Sequence, residues 1–217
     1  MRALLAALLA CTAQAQAQEI VTLQTRLGVT LSFFVAPMGE VPPKAAALLL
    51  IGGGGMSDQF RQSPEHATDI RAVVSEVKRR YPGLPAFVVG TSRSTLSAAH
   101  LGRALGGEIS GVVLSSSLFY TSAGNSAQRA LAAFDWDALK LPVLFVHHRA
   151  DACGATPYAD AAQLASRFPL ISVQGGKPPE RGPCDPLAPH GFYGKEAETV
   201  GAIAAWMLGN PYRKDID

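Results

Sequence analysis

The stretch AFVVGTSRSTLSAAHLG, residues 86–102, contains the features that decide the fold. Its apolar start, Ala86 to Val89, predicts a buried strand, and the apolar residues from Leu96 to Leu101 follow at helical spacing. Between them, Gly90-Thr91-Ser92-Arg93-Ser94 comes close to G-x-S-x-G, in which a serine is exposed on a sharp strand-to-helix turn. Strand, turn and helix together make Ser92 a candidate nucleophile.

Two features leave the role of Ser92 open at this point. Ser94 stands where the pattern has its second glycine, although serine is itself small. Serine at the start of a helix is also a common N-cap residue, so Ser92 could simply open the helix. The decision depends on partners elsewhere in the chain.

The apolar segments on either side predict an α/β fold. Alternation over residues 20–26 and 29–36 predicts an antiparallel hairpin that turns at Leu27-Gly28. Continuous apolar runs then predict buried strands, at 46–51, 86–89, 111–114, 142–147 and 170–173. Predicted helices lie between or after these strands: one opens at Ser63-Pro64-Glu65 and ends before Tyr81, and the others cover 94–104, 157–168 and 195–208. This alternation predicts a mostly parallel sheet with helices on both faces.

Composition sets limits on size and partners. The 217 residues are 48% hydrophobic and carry a net charge of +2, which suits one domain, predicted at 18–217. The basic residues are spread along the chain, and the short cluster Lys78-Arg79-Arg80 suits the end of a helix. No nucleic-acid footprint is visible, so the expected partner is a small-molecule substrate.

Residues 1–17 have the pattern of a secretory signal peptide. Arg2 is a minimal basic start, Leu4–Ala10 is a short apolar segment, and Ala15-Gln16-Ala17 is a cleavage pattern of small residues. We therefore expect an exported protein, periplasmic or secreted, whose mature chain begins near Gln18. A lipoprotein signal ending at Cys11 is the alternative. No apolar run approaches the roughly 20 residues that a membrane span requires.

Export affects how the cysteines are interpreted. Cys153 and Cys184 form an even pair in the expected mature chain, and an oxidising compartment favours a disulfide between them. Two free buried cysteines are the alternative. The sequence has no CxxC, HExxH or Cys/His cluster, so neither a metal nor a cofactor is indicated.

A nucleophilic serine on such a sheet needs an acid and a base, which follow it in the order serine, acid, histidine. Asp151 comes shortly after the predicted strand 142–147, and His190 lies in a loop before the last helix. Asp151 could instead cap its turn or pair with Arg149.

Four other histidines compete with His190 for the role of base. His147 and His148 come too early in the chain order and are expected to line the pocket. His100 lies inside a predicted helix, where a structural role is the simpler interpretation, and His66 remains a competitor.

Three segments resemble small exported members of the α/β-hydrolase superfamily. They are GTSRST at 90–95, HHRADAC at 147–153, and Cys184 followed by HGFYGKE at 190–196. The resemblance covers most of residues 20–210 and implies Ser92 as nucleophile, Asp151 as acid and His190 as base.

The oxyanion hole is the part in which the chain departs from this family. Two backbone N–H groups are required, and they are expected from Arg93 and from the loop Gly52–Met56. The candidate residues in that loop are Gly53, Gly54, Gly55 and Met56. Only one helix is predicted between this loop and Ala86, where the family has a helix, a strand and a second helix, so one helix–strand unit is missing. The glycines could instead be only a flexible bridge.

These features predict an exported serine hydrolase that cleaves a small carboxylic ester, in preference to an amide, through an acyl-enzyme. Residues 118–139 are too few for a large lid, so a long-chain lipid substrate is not favoured. The alternative is a catalytically inactive, hydrolase-like binding protein, which the missing unit and Ser94 would suit.

Overall fold

A computed structural model describes residues 18–36, 41–121 and 128–217. The chain divides into two compact units, 1–43 and 44–217. The predicted signal peptide at 1–17 and its alternative at Cys11 lie outside the described residues.

The first unit contains the predicted hairpin. Strands β1 (Glu19–Arg26) and β2 (Val29–Val35) pair antiparallel. The turn between them contains Gly28, whose φ of +71° is a left-handed conformation that glycine adopts without strain. The antiparallel start of the fold is therefore confirmed.

The second unit is built on a six-stranded parallel sheet whose strands lie side by side in sequence order. They are β3 (Ala46–Leu50), β4 (Ala86–Thr91), β5 (Gly111–Ser115), β6 (Val143–His148), β7 (Leu170–Val173) and β8 (Asp215–Ile216). The two-residue β8 has no counterpart in the prediction, because its apolar signal is a single isoleucine.

Within the described residues, five α-helices accompany the sheet: α1 (Asp58–Arg61), α2 (Pro64–Arg80), α3 (Ser94–Leu105), α4 (Tyr158–Leu164) and α5 (Glu196–Met207). Helix α2 begins as predicted, because the Ser63 side chain accepts the N–H of His66 and Pro64 occupies the first turn. The predicted extension of α4 to Phe168 is wrong. Pro169 disfavours helical backbone at Phe168, and that ring instead lies 5.9 Å from the ring of Phe145.

Both faces of the sheet are covered, as the alternating pattern predicts. On one face, Val113 and Leu144 belong to a buried cluster that packs against Ala202 and Trp206 of α5. On the other face, a Cβ on Gly102 of α3 would come within 3.1 Å of Val112. The α/β class with a parallel sheet and helices on both faces is confirmed.

The start of the sheet reflects the missing helix–strand unit. All residues between β3 and β4 are described; they contain only α1 and α2, and β3 pairs directly with β4. Strand β3 is therefore an edge strand. Leu48 is buried, whereas Leu49 on its other face is 73% exposed.

This contrast between neighbours predicts different costs for the same substitution. Leu48→Ala should lower the free energy of unfolding by about 2 kcal/mol or more, because it leaves a cavity. Leu49→Ala should change it by no more than about 0.5 kcal/mol. Urea unfolding of the two variants measures both values, and equal losses would contradict the exposed edge.

Candidate active site

The turn after β4 holds Ser92 in a strained conformation. Ser92 has φ +56°, a left-handed value that is costly for a residue with a side chain. A Cβ on Gly90 would lie 2.6 Å from the carbonyl oxygen of Ser94, so only glycine fits there. The Ser92 N–H donates to the carbonyl of Ser115 on the neighbouring strand, at 2.9 Å. The serine is thereby fixed at the carboxyl edge of the sheet.

Ser94, the departure from the second glycine of the pattern, is fully buried. Its hydroxyl lies 2.9 Å from both the carbonyl of Leu50 and that of Thr91, and it accepts the N–H of Thr91 at 2.8 Å. The side chain therefore links the end of β3 to the turn instead of crowding it.

Asp151 and His190 form a buried pair across 39 residues of sequence. His190 Nδ1 lies 3.0 Å from Asp151 Oδ2, and their side chains are 4% and 0% exposed. Asp151 lies three residues beyond β6, and His190 lies in a short 3-10 turn, Pro189–Gly191, before α5. Asp151 thus binds His190 and not Arg149, whose guanidinium pairs with Asp215 at 2.8 Å.

Thr156 is a third member of this pair that sequence reasoning missed. Its hydroxyl donates to Asp151 Oδ2 at 2.8 Å, and the second carboxylate oxygen accepts the N–H of Cys153 at 2.9 Å. These donors fix the plane of the carboxylate. A threonine close after the acid is the only sequence signal for this role.

Two serines at the end of β5, Ser115 and Ser116, connect the two halves of the site. Ser115 accepts the N–H of Ser92, as described above, and Ser116 donates its hydroxyl to the carbonyl of His190 at 2.7 Å. Ser116 is fully buried and has φ +45°. Two adjacent residues therefore hold the backbones of Ser92 and His190, which brings these sequence-distant residues to one edge of the sheet.

The glycine loop reaches this edge through Gly52. A Cβ on Gly52 would lie 2.8 Å from the carbonyl of Thr91 and 3.7 Å from the Cβ of Ser92. Of the predicted loop residues, Gly53 has its carbonyl bound by Arg61 Nη2 at 3.0 Å. Apart from its two neighbours in the chain, no described residue has a heavy atom within 4 Å of a Cβ built on Gly54 or Gly55, and Met56 is 38% exposed.

Arg61 binds this loop, and the positive charge of Arg93 acts on Arg61. Arg61 is 1% exposed, and its other terminal nitrogen, Nη1, lies 3.5 Å from the carbonyl of Ile51. The guanidinium of Arg93, which directly follows Ser92, pairs with Asp58 at 2.9 Å. Arg61 thus holds the start of the loop at two backbone carbonyls.

The last two residues of β6, His147 and His148, are buried, so the pocket lining predicted for them is wrong. His147 Nε2 accepts the N–H of Ser117 at 2.9 Å, and His148 Nδ1 accepts the N–H of Ala150 at 3.0 Å. Burial lowers the pKa of His147 to about 3, and the negative charge of Asp151 opposes this only in part. His147 is therefore neutral at neutral pH.

A disulfide joins the two loops that carry the acid and the histidine. Cys153 and Cys184 are bonded, as their even pairing suggested. Cys153 also donates its N–H to Asp151, and Cys184 lies six residues before His190. The bond therefore limits how far the two loops can separate.

Within the described residues, no group of three or more His, Cys, Asp and Glu side chains is placed to share a metal ion. Among these same residues, no helix has the length and apolarity needed to cross a membrane.

Solved structures with similar architecture identify the fold. Est1E from Butyrivibrio proteoclasticus aligns over 88% of this chain and 98% of its own, with a TM-score of 0.58 and 14% identity. An alpha-beta serine hydrolase homologue from Coxiella burnetii aligns over 88% of this chain and 96% of its own, with a TM-score of 0.54 and 10% identity. A Staphylococcus aureus protein of unknown function aligns over 85% of this chain and 99% of its own, with a TM-score of 0.51 and 14% identity. No family model matches the sequence, and no curated protein does. The chain has the α/β-hydrolase fold, in a reduced form.

The buried His147 predicts a pH-dependent stability. The unfolded chain takes up a proton at this residue below about pH 6.5, whereas the folded chain does so only near pH 3. The stability that His147 contributes is complete above pH 6.5 and is lost as the pH falls towards 3, with a slope of up to about 1.4 kcal/mol per pH unit.

His147→Gln tests this because glutamine can accept the Ser117 N–H but does not titrate. Urea unfolding between about pH 6.5 and 4.5 should show a shallower loss of stability in the variant than in the wild type. His100, whose pKa burial lowers to about 4, keeps its own contribution in both proteins. Identical slopes would contradict the prediction.

Proposed function

We propose that this protein is an exported serine hydrolase that cleaves small carboxylic esters through Ser92, His190 and Asp151. The buried hydrogen bond between His190 Nδ1 and Asp151 Oδ2, at the sheet edge that carries the strained Ser92, is the observation that supports it most strongly. The fold, shared with an alpha-beta serine hydrolase homologue, adds support.

In the proposed reaction, the neutral imidazole of His190 accepts the proton of the Ser92 hydroxyl as its oxygen attacks the ester carbonyl. With Nδ1–H bound to Asp151, the lone pair of the ring is on Nε2, the nitrogen that serves the serine. The imidazolium then gives the proton to the departing alcohol and leaves an acyl-serine. Water, activated by the same histidine, releases the acid.

The oxyanion of each tetrahedral intermediate would be stabilised by the N–H of Arg93 and by N–H groups of the glycine loop. The contact of Gly52 with the turn supports a role for this loop, whose candidate donors are Gly53, Gly54, Gly55 and Met56. An alcohol leaves more readily than an amine, so an ester needs less stabilisation from such a site than an amide does.

The disulfide between Cys153 and Cys184 supports export, because such bonds persist in oxidising compartments. The competing function is an inactive binding protein. The missing helix–strand unit and the exposed Leu49 favour it, since an edge strand is a surface on which a partner can pair.

A fluorophosphonate probe separates the two functions. The wild-type chain should be labelled at Ser92, and Ser92→Ala should lose the label and about a thousandfold or more of its p-nitrophenyl acetate hydrolysis. Ser97→Ala, in the first turn of α3, is the matched control and should keep both. An unlabelled, inactive wild-type protein would favour the binding protein.

The bond from Ser116 predicts a positioning role. Ser116→Ala and Ser116→Gly both remove the hydroxyl that holds the His190 carbonyl, so each should lower kcat by about 10- to 100-fold with little change in KM. Glycine also relieves the strain of the positive φ, so Ser116→Gly should be the more stable of the two.

Steady-state kinetics and urea unfolding of both variants test this role together. Two variants with wild-type kcat would show that Ser116 does not position the histidine. If only the less stable Ser116→Ala loses activity and Ser116→Gly is fully active, the hydroxyl contributes to the fold alone.

A further inference from the structure

We propose that the groove between α2 and α3 is a binding site for a small oxyanion, a phosphate or carboxylate group. The groove is a cavity of about 320 Å³ between the first turns of α2 and the second half of α3. Its ionisable lining residues are Arg61, His66, Arg71, His100 and Arg103.

Two of these side chains are buried and incompletely hydrogen-bonded. Arg61 is 1% exposed and His66 is 3% exposed. Arg61 Nε and His66 Nε2 have no hydrogen-bond partner within the described part of the chain. A buried polar atom without a partner costs about 1–3 kcal/mol, and the cost is greater next to a charge. An oxyanion that accepted from either nitrogen would remove this cost there.

The charge of the groove favours an anion. Arg61, Arg71 and Arg103 all line it, and its lining contains no carboxylate among the described residues. Three acids outside the lining act on its charged groups. Asp58 pairs with Arg93 and also acts on Arg61, Glu108 pairs with Arg71, and Asp69 acts on His66 from its own helix.

The histidines respond to this positive field. Burial lowers the pKa of His66, and the charge of Arg61 lowers it further, against an opposing effect of Asp69. Burial lowers the pKa of His100 to about 4, and the charge of Arg103 adds to the effect. A bound anion would reverse these charge effects and raise both pKa values.

The start of α2 adds partial positive charge but no free N–H donor at these lining positions, because Pro64 has no N–H and the N–H of His66 is bound by Ser63 Oγ. The helix is 17 residues long, and Ser63 and Pro64 at its N-terminus line the groove. The N-terminus of a helix carries partial positive charge that stabilises an anion nearby. The ligand would be a tetrahedral phosphate or a carboxylate, because the guanidinium of Arg61 and the imidazole of His66 offer N–H donors that such oxygens accept.

Arg61 also connects this groove to the glycine loop. Its terminal nitrogens bind the carbonyls of Ile51 and Gly53, whereas Nε is the atom left for the ligand. The proposal does not depend on the function of Ser92, because binding can be measured without turnover.

The test is a titration of the full chain with inorganic phosphate at constant ionic strength. NMR signals of the histidine rings monitor the titration. We expect saturable binding and a rise in the pKa of His66. Arg103→Gln, at an exposed position, should weaken binding several-fold. Arg61→Gln should weaken it about tenfold or more, the effect of losing a charged hydrogen bond.

Arg79→Gln removes a cation from the same helix outside the groove and is the matched control; it should bind like the wild type. Because Arg61→Gln could loosen the glycine loop, Arg103→Gln carries the test if Arg61→Gln is unfolded.

A parallel titration with acetate identifies the ligand class, since stronger binding of one anion assigns the groove to phosphate or to carboxylate groups. Chloride that competes equally, binding that does not saturate, or equal weakening by Arg79→Gln would overturn the proposal.

Discussion

The left-handed backbone of Ser92 is the constraint on which the rest of the candidate site depends. Such a conformation costs about 1–3 kcal/mol in a residue with a side chain, and it persists only where neighbours determine it from several sides. Here the Ser92 N–H is bound to Ser115, and its carbonyl accepts from the hydroxyl of Thr95 at 2.6 Å. Gly90 lets α3 approach so closely that no other residue fits.

The support for this turn comes from buried hydroxyl groups and not from apolar packing alone. Thr95 holds the Ser92 carbonyl and also accepts the N–H of Leu118 at 2.9 Å, so it links the turn to the segment after β5. The Ser94 hydroxyl links the turn to β3 through the carbonyl of Leu50, and the Ser116 hydroxyl links the end of β5 to the carbonyl of His190. Each hydroxyl joins two segments that are far apart in sequence, and each is satisfied in the interior, where an unpaired one would be costly.

Local patterns in the sequence were sufficient for the framework of the fold. Continuous apolar runs predicted strands β3 to β7, because a strand buried on both faces needs apolar residues at every position. Strands β4 to β7 are largely buried, whereas the burial predicted for β3 is wrong, because Leu49 is exposed at the edge of the sheet. The motif at Ser92 and the chain order predicted which three residues would lie at one sheet edge, and the structure brings Asp151 and His190 into contact there.

The supporting groups could not be predicted in this way. Ser116 and Thr156 both contact His190, which lies 74 positions after Ser116 and 34 positions after Thr156. Arg61 had no signal as a buried residue, since arginine is rarely buried and α1 is only four residues long. Their roles depend on contacts that exist only once the sheet has formed.

The shortened connection between β3 and β4 explains why Arg61 is buried where it is. With β3 at the edge of the sheet, the loop after it leads directly into α1, and the backbone carbonyls of Ile51 and Gly53 have no neighbouring strand to bind. Arg61 supplies donors to both carbonyls from one rigid, planar group. A residue at the end of the shortened segment thus fixes the loop that faces the turn at Ser92. The position of this loop therefore depends on the buried guanidinium of Arg61. A group that neutralises the charge of Arg61 would also affect the loop.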